Sequence, residues 1–198
     1  MRPRFSFTMI FWRHLLTALV VIIPAWCAAN AAELDGVRIP DTVYVGGKRL
    51  QLNGYGLRTY SVFRVHIYIA SLYVEHLSSN PEEIIRSPET KLLNVTFERN
   101  VDADDAKKAW REGLTNNCQA PCSLDPRDVE RFIAQVPAMH ASDNFSLLFT
   151  KESATIMTNG RPIGVIPQQQ FAQAVLATFL GPNPASPALK QELLRGHG

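Results

Sequence analysis

The chain has 198 residues, of which 46% are hydrophobic, 19% charged and 9% aromatic, a globular composition without the signature of disorder, collagen or a solenoid. No repeat with a period of roughly 20–50 residues is present, which excludes a repeat array. The formal charge of +2 includes Arg2, Arg4 and Arg13 in an N-terminal segment that reads as removable, and without them 17 basic residues face 18 acidic ones, so no basic run argues for nucleic acid.

The N-terminus carries the marks of export. Arg2, Arg4, Arg13 and His14 precede an apolar run over residues 15–23, Pro24 breaks it, and Ala29-Asn30-Ala31 offers small residues at the cleavage positions. The reading is a signal peptide over 1–31 and a single domain over 32–198, in the periplasm or secreted. The run is shorter than the about 20 residues that span a bilayer; an uncleaved anchor is the alternative. Trp26 is too bulky for the position before a lipidated Cys27. Cys118 and Cys122 remain in NNCQAPC. Around Pro121 they suit a local disulfide in an oxidising compartment, worth roughly 2 kcal/mol. The spacing is not Cys-x-x-Cys and no second ligand pair stands nearby, which disfavours a redox or metal site. No cofactor motif is present.

In chain order, residues 42–45 and 48–52 flank Gly46-Gly47 and read as a hairpin. Residues 62–74 form a long β-branched and aromatic strand, with Phe63, Val65, Ile67 and Ile69 on an apolar face and Arg64, His66, Tyr68, Ala70 and Leu72 on a mixed, more polar one. Leu93, Val95 and Phe97 alternate in the next strand. Asp102 caps a helix through about residue 116, whose inner face carries Ala103, Ala106, Trp110 and Leu114. Asp125-Pro126 starts another, with a stripe of Val129, Phe132, Ile133 and Val136 that Pro137 ends. Strands over 145–150, 154–158 and 162–166 follow, the last two joined by Asn159-Gly160. Pro167 opens an apolar, largely buried helix that Gly181 stops, and Ser186-Pro187 caps a short last one. The pattern is α+β: a large antiparallel sheet with helices packed on one face.

Two segments in this layout resemble the chalcone isomerase-like family. The first is NGYGLRTYSVFRVHIYIASLYVE, residues 53–75, and the second FAQAVLATFLGPNPASPAL, residues 171–189. Their order and separation extend the resemblance over nearly the whole domain. It implies an open-faced β-sandwich of the chalcone isomerase type. The family holds plant isomerases, which use an arginine, a threonine, a tyrosine, a lysine and an asparagine, and relatives that bind fatty acids through the same arginine and a tyrosine on the neighbouring strand. The resemblance puts that arginine at Arg58 and the strand tyrosine of the fatty-acid binders at Tyr68, with the late-helix pocket pair at Thr178 and Phe179. Asp104 and Asp105 stand where the isomerase tyrosine is expected, and Trp110 and Arg111 fall in the region of the asparagine. Lys107 and Lys108 compete for the lysine.

The residues agree chemically with an anion site. An arginine stays charged and forks onto carboxylates. Glycines such as Gly54 and Gly56 mark a bulge or a close approach by a ligand or another backbone. The structural alternative for Arg58 is an ion pair with Glu75 or Glu98. Tyr68 offers a second donor, or simple cross-strand packing; Thr178 offers a hydroxyl that a carbonyl one turn back would equally satisfy; Phe179 offers core or lining; His66 shares the face of Tyr68. Three functions follow as expectations. The first is non-catalytic binding of a fatty acid or similar amphipathic carboxylate. The second is an isomerase or intramolecular lyase acting on a chalcone-like or other anionic molecule, with Arg58 stabilising an anionic oxygen. The third is an accessory scaffold for a protein partner, which requires a filled interior beside Arg58.

Overall fold

The computed structural model describes residues 31–118 and 121–196. The segment read as a signal peptide, with Cys27, lies outside the described residues except for Ala31. The chain first makes a small hairpin, β1 (Ala31–Leu34) and β2 (Val37–Pro40), turning at Asp35 and Gly36 with φ of 47° and 79°. The sequence reading has no strands here.

Seven strands then pair in chain order as an antiparallel meander: β3 (Thr42–Val45), β4 (Lys48–Tyr60), β5 (Val65–Val74), β6 (Lys91–Phe97), β7 (Asn144–Phe149), β8 (Ala154–Thr158) and β9 (Arg161–Ile166). Gly46-Gly47 and Asn159-Gly160 turn with positive φ as their hairpins require. Two strands differ from expectation. β4 does not stop at Leu52 but continues through Gly54 and Gly56 to Tyr60. β5 starts at Val65, because Ser61 and Arg64 adopt left-handed conformations (φ 64° and 50°) and close a tight turn in which the Arg64 amide donates to the Ser61 carbonyl at 3.1 Å. Val62 and Phe63 therefore belong to the turn.

The helices are α1 (Pro81–Arg86), α2 (Ala103–Asn117), α3 (Pro126–Ala134), α4 (Gln169–Leu180) and α5 (Pro187–Leu193). Asp125 accepts from the Arg127 amide at 2.8 Å and Ser186 from the Leu189 amide at 3.3 Å, the two expected caps. Asp102 sits at the start of α2 without a side-chain cap bond. The helix missing from the sequence reading is α1, capped by Asn80, whose side-chain Oδ1 accepts from the Glu82 and Glu83 amides. Its six residues bury one side chain, Ile84, too little to show a period. Cys118, at the end of α2, is bonded to Cys122, with 5.0 Å between Cα atoms.

The main core lies between the sheet and the helices. Ala70, Leu72, Leu93, Val95, Leu147 and Ile156 face Leu114, Phe132, Phe171, Val175, Leu176 and Leu193. On the opposite face, Leu50, Leu52, Ile69 and Tyr73 are covered with Ile39 by the small hairpin. The mixed face of β5 is therefore the one beneath the helices. Small side chains are what let a helix lie close there: Ala70 stands opposite Gly56. Among the described residues no helix is long and apolar enough to cross a membrane.

Glu75, just beyond β5, ties the start of β4 to the segment leading into β6. Its Oε1 accepts from Lys48 Nζ and from the Thr90 amide, both at 2.6 Å. These bonds hold its carboxyl at about 2, below the ordinary 4.5. A carboxylate favoured by folding gives stability that is complete above pH about 4.5 and is lost as pH falls through about 2. In denaturant titrations the unfolding midpoint is expected to fall over that window, and Glu75→Gln to flatten this part of the profile. An unchanged slope in the variant would assign the acid sensitivity to other carboxylates.

Candidate ligand-binding site

The candidate site begins where α5 crosses β4. A Cβ placed on Gly54 would lie 2.3 Å from the Glu192 carbonyl oxygen, and one on Gly56 2.6 Å from the Glu192 Cβ. The two glycines are the seat of a helix, so the approach of another backbone is realised, and the pairing of β4 with β5 also shifts between Leu52 and Gly54, so the bulge is realised with it. Asn53, fully buried, fixes the crossing: its amide donates to the Leu193 carbonyl at 2.8 Å, and its side-chain oxygen accepts from the Ser78 amide at 2.9 Å.

Two residues beyond Gly56, past the start of α5, stands Arg58. It lies directly opposite Tyr68 on β5, which in turn lies opposite Phe97 on β6. Directly opposed residues share a sheet face, so all three point to the helix side. Arg58 is half-buried, and its guanidinium donates from Nη1 to the Ala185 carbonyl in the α4–α5 connection. Among the described residues no carboxylate pairs with it. Glu75 is engaged by Lys48, and Glu192, which packs over Gly56, is paired with Arg195 at 3.1 Å. A carbonyl satisfies a donor but does not neutralise a charge, so the guanidinium keeps its capacity for an anion. Beside it, burial pushes the Tyr68 phenol up to about 12, an effect Arg58 partly offsets. The hydroxyl therefore remains a protonated donor through the physiological range.

Behind this pair runs a row of aromatic rings. Tyr68 meets Phe97 edge-on at 5.7 Å and Phe179 at 6.5 Å; Phe179 meets Trp110 at 5.9 Å; and Trp110 meets Phe132 edge-on at 5.1 Å. Such contacts stabilise beyond area burial alone. Phe179 thus joins Arg58 and Tyr68. Phe97 belongs with them and was legible only as the end of an alternating strand. Trp110 occupies the space inside the row, while Asp104 and Asp105 stand exposed on the first turn of α2.

Thr178 and His66 do not join. The Thr178 hydroxyl donates to the Val175 carbonyl at 2.8 Å, and its side chain packs on Gly113 where α4 crosses α2. His66 shares face parity with Tyr68 in sequence, but the pairing with β4 shifts between Arg58/Tyr68 and Thr59/His66. That irregularity takes up Ile67, breaks the alternation, and lets the His66 Nδ1 reach Asp35 of the small hairpin at 2.9 Å.

Two hollows lie away from these residues: one of about 10 Å³ bordered by Phe132, Gln135, Ile166 and Phe171, and an open groove along residues 123–127. Neither touches Arg58. Among the described residues no three His, Cys, Asp or Glu side chains cluster in a way that would hold a metal ion.

No curated protein sequence matches the chain. A solved fatty-acid binding protein of Arabidopsis thaliana has a similar structure, with a TM-score of 0.69 over 83% of this chain and 96% of that one, at 12% identity. At that identity the likeness is one of fold. Residues 31–195 match the family model described as chalcone isomerase-like, and on that match the chain belongs to the chalcone isomerase-like family.

Proposed function

We propose that this protein binds a fatty acid or similar amphipathic carboxylate without transforming it, with the head group held by Arg58 and Tyr68. The observation that carries this is a half-buried arginine with no carboxylate partner among the described residues, set opposite a tyrosine that stays protonated. A carboxylate there accepts from both, displacing the Ala185 carbonyl from Arg58. The tail follows the aromatic row, so Phe179 and Trp110 swing aside to admit it, each buried methylene contributing up to about 0.8 kcal/mol. The fatty-acid binding protein of similar fold supports this ligand class. The aspartates at the start of α2, in place of the tyrosine expected of an isomerase, support a non-catalytic role. We further propose that the domain works in the periplasm or outside the cell. The positive and apolar N-terminal segment and the Cys118–Cys122 bond support that placement.

Charge-assisted hydrogen bonds contribute about 1.5–3 kcal/mol each. Arg58→Ala is therefore expected to weaken binding of a long-chain fatty acid roughly tenfold to a hundredfold by calorimetry, while the corresponding fatty alcohol binds both forms alike. Equal affinity of the two proteins for the acid would rule out this role for Arg58.

One observation favours the scaffold reading. The rings that run inward from Tyr68 are in contact with one another. That reading predicts that native mass spectrometry of the purified protein finds no bound lipid, and that fatty acids leave its melting temperature unchanged. Chalcone turnover abolished by Arg58→Ala would instead restore the isomerase reading.

A further inference from the structure

The β4–β5 turn exposes three large apolar side chains in a run of four residues: Tyr60 at 66%, Val62 at 90% and Phe63 at 85%. Water does not favour such a display, and the backbone holds it in place. Ser61 and Arg64 sit at positive φ, the Arg64 amide donates to the Ser61 carbonyl, and the Phe63 amide donates to the Ser61 hydroxyl at 3.3 Å. The side chains are thus presented by a formed turn at the end of two paired strands.

Charge selects the occupant. Residues 59–67 contain Arg64 and His66 and no Asp or Glu. Asp35 reaches the base of the tip from the small hairpin, where it is engaged by His66. The tip therefore carries apolar and aromatic groups with an exposed guanidinium immediately beside them. This arrangement suits the boundary of a bilayer, where rings sit at headgroup level and a long basic side chain reaches the phosphates. A stable protein–protein contact needs about 800 Å² on each partner, more than three side chains on a convex turn provide. A bilayer requires no matching pocket.

We propose that the β4–β5 turn docks on an anionic phospholipid surface, with Val62 and Phe63 entering the headgroup–acyl boundary and Arg64 meeting lipid phosphates. The proposal stands on the turn alone, independently of the carboxylate site. The test is cosedimentation of the full chain with vesicles of phosphatidylglycerol and phosphatidylcholine, and with phosphatidylcholine alone. A double variant, Val62→Ser with Phe63→Ser, is expected to bind at least about tenfold more weakly, with an unchanged melting temperature because both positions are exposed. Arg64→Gln is expected to weaken binding only where phosphatidylglycerol is present. Undiminished sedimentation of the double variant would overturn the proposal, since binding would then reside elsewhere in the chain. So would self-association of the wild-type protein that the double variant loses, which would make the turn a contact between copies.

Discussion

Gly54→Ala is expected to lower unfolding stability by about 3 kcal/mol. The added methyl would stand 2.3 Å from the Glu192 carbonyl oxygen and 2.5 Å from the Leu193 carbonyl oxygen. Both are backbone atoms of the α5 crossing, so no rotamer change relieves the clash and the helix has to lift. Lifting it stretches the Asn53–Leu193 hydrogen bond and uncovers Leu189 and Leu193, both buried in the main core. Gly47→Ala is the control. It has open space around it but a φ of 78°, so it is expected to cost only about 1 kcal/mol of local strain. Chemical denaturation of the two variants separates the effects, and a loss at Gly54 smaller than that at Gly47 would mean that α5 yields to the methyl at little cost.

Phe132→Ala is expected to be at least as damaging, at about 4 kcal/mol and roughly 10 °C in melting temperature. Phe132 is 2% exposed and stands edge-on to Trp110 at 5.1 Å and to Phe171 at 5.7 Å. It therefore joins α3 to both α2 and α4. Removing the ring leaves a cavity flanked by two aromatic faces that lose their edge contacts together. A loss below about 2 kcal/mol would indicate that the surrounding helices collapse into the space.

Much of this architecture is written locally. Asp125-Pro126 and Ser186-Pro187 announce helices that form where they should, and Gly46-Gly47 and Asn159-Gly160 turn as their backbone freedom dictates. The sequence misleads where a tertiary contact outweighs a local preference. Gly54 and Gly56 look like punctuation, yet they lie inside a thirteen-residue strand because a helix from near residue 190 rests on them. Val62 and Phe63 have strong strand propensity, yet left-handed Ser61 and Arg64 turn the chain there. At the site, alternation alone puts His66 beside Tyr68, and one irregular pairing separates them. That Arg58 faces Tyr68 came from resemblance to a family; no periodicity in one strand reports which residue of the next it will meet.

The strand order has a consequence for how the chain comes together. Each strand of the meander pairs with its neighbour in sequence, so the sheet can assemble progressively during synthesis, hairpin by hairpin. The groove over Gly54 and Gly56 is different: it waits for a partner some 140 residues downstream, the separation of the Asn53–Leu193 bond. Until the ribosome has released that stretch, the strand bearing Arg58 has one side bare, and a nascent chain halted early would present its glycine track to whatever chaperone or neighbouring polypeptide arrives first.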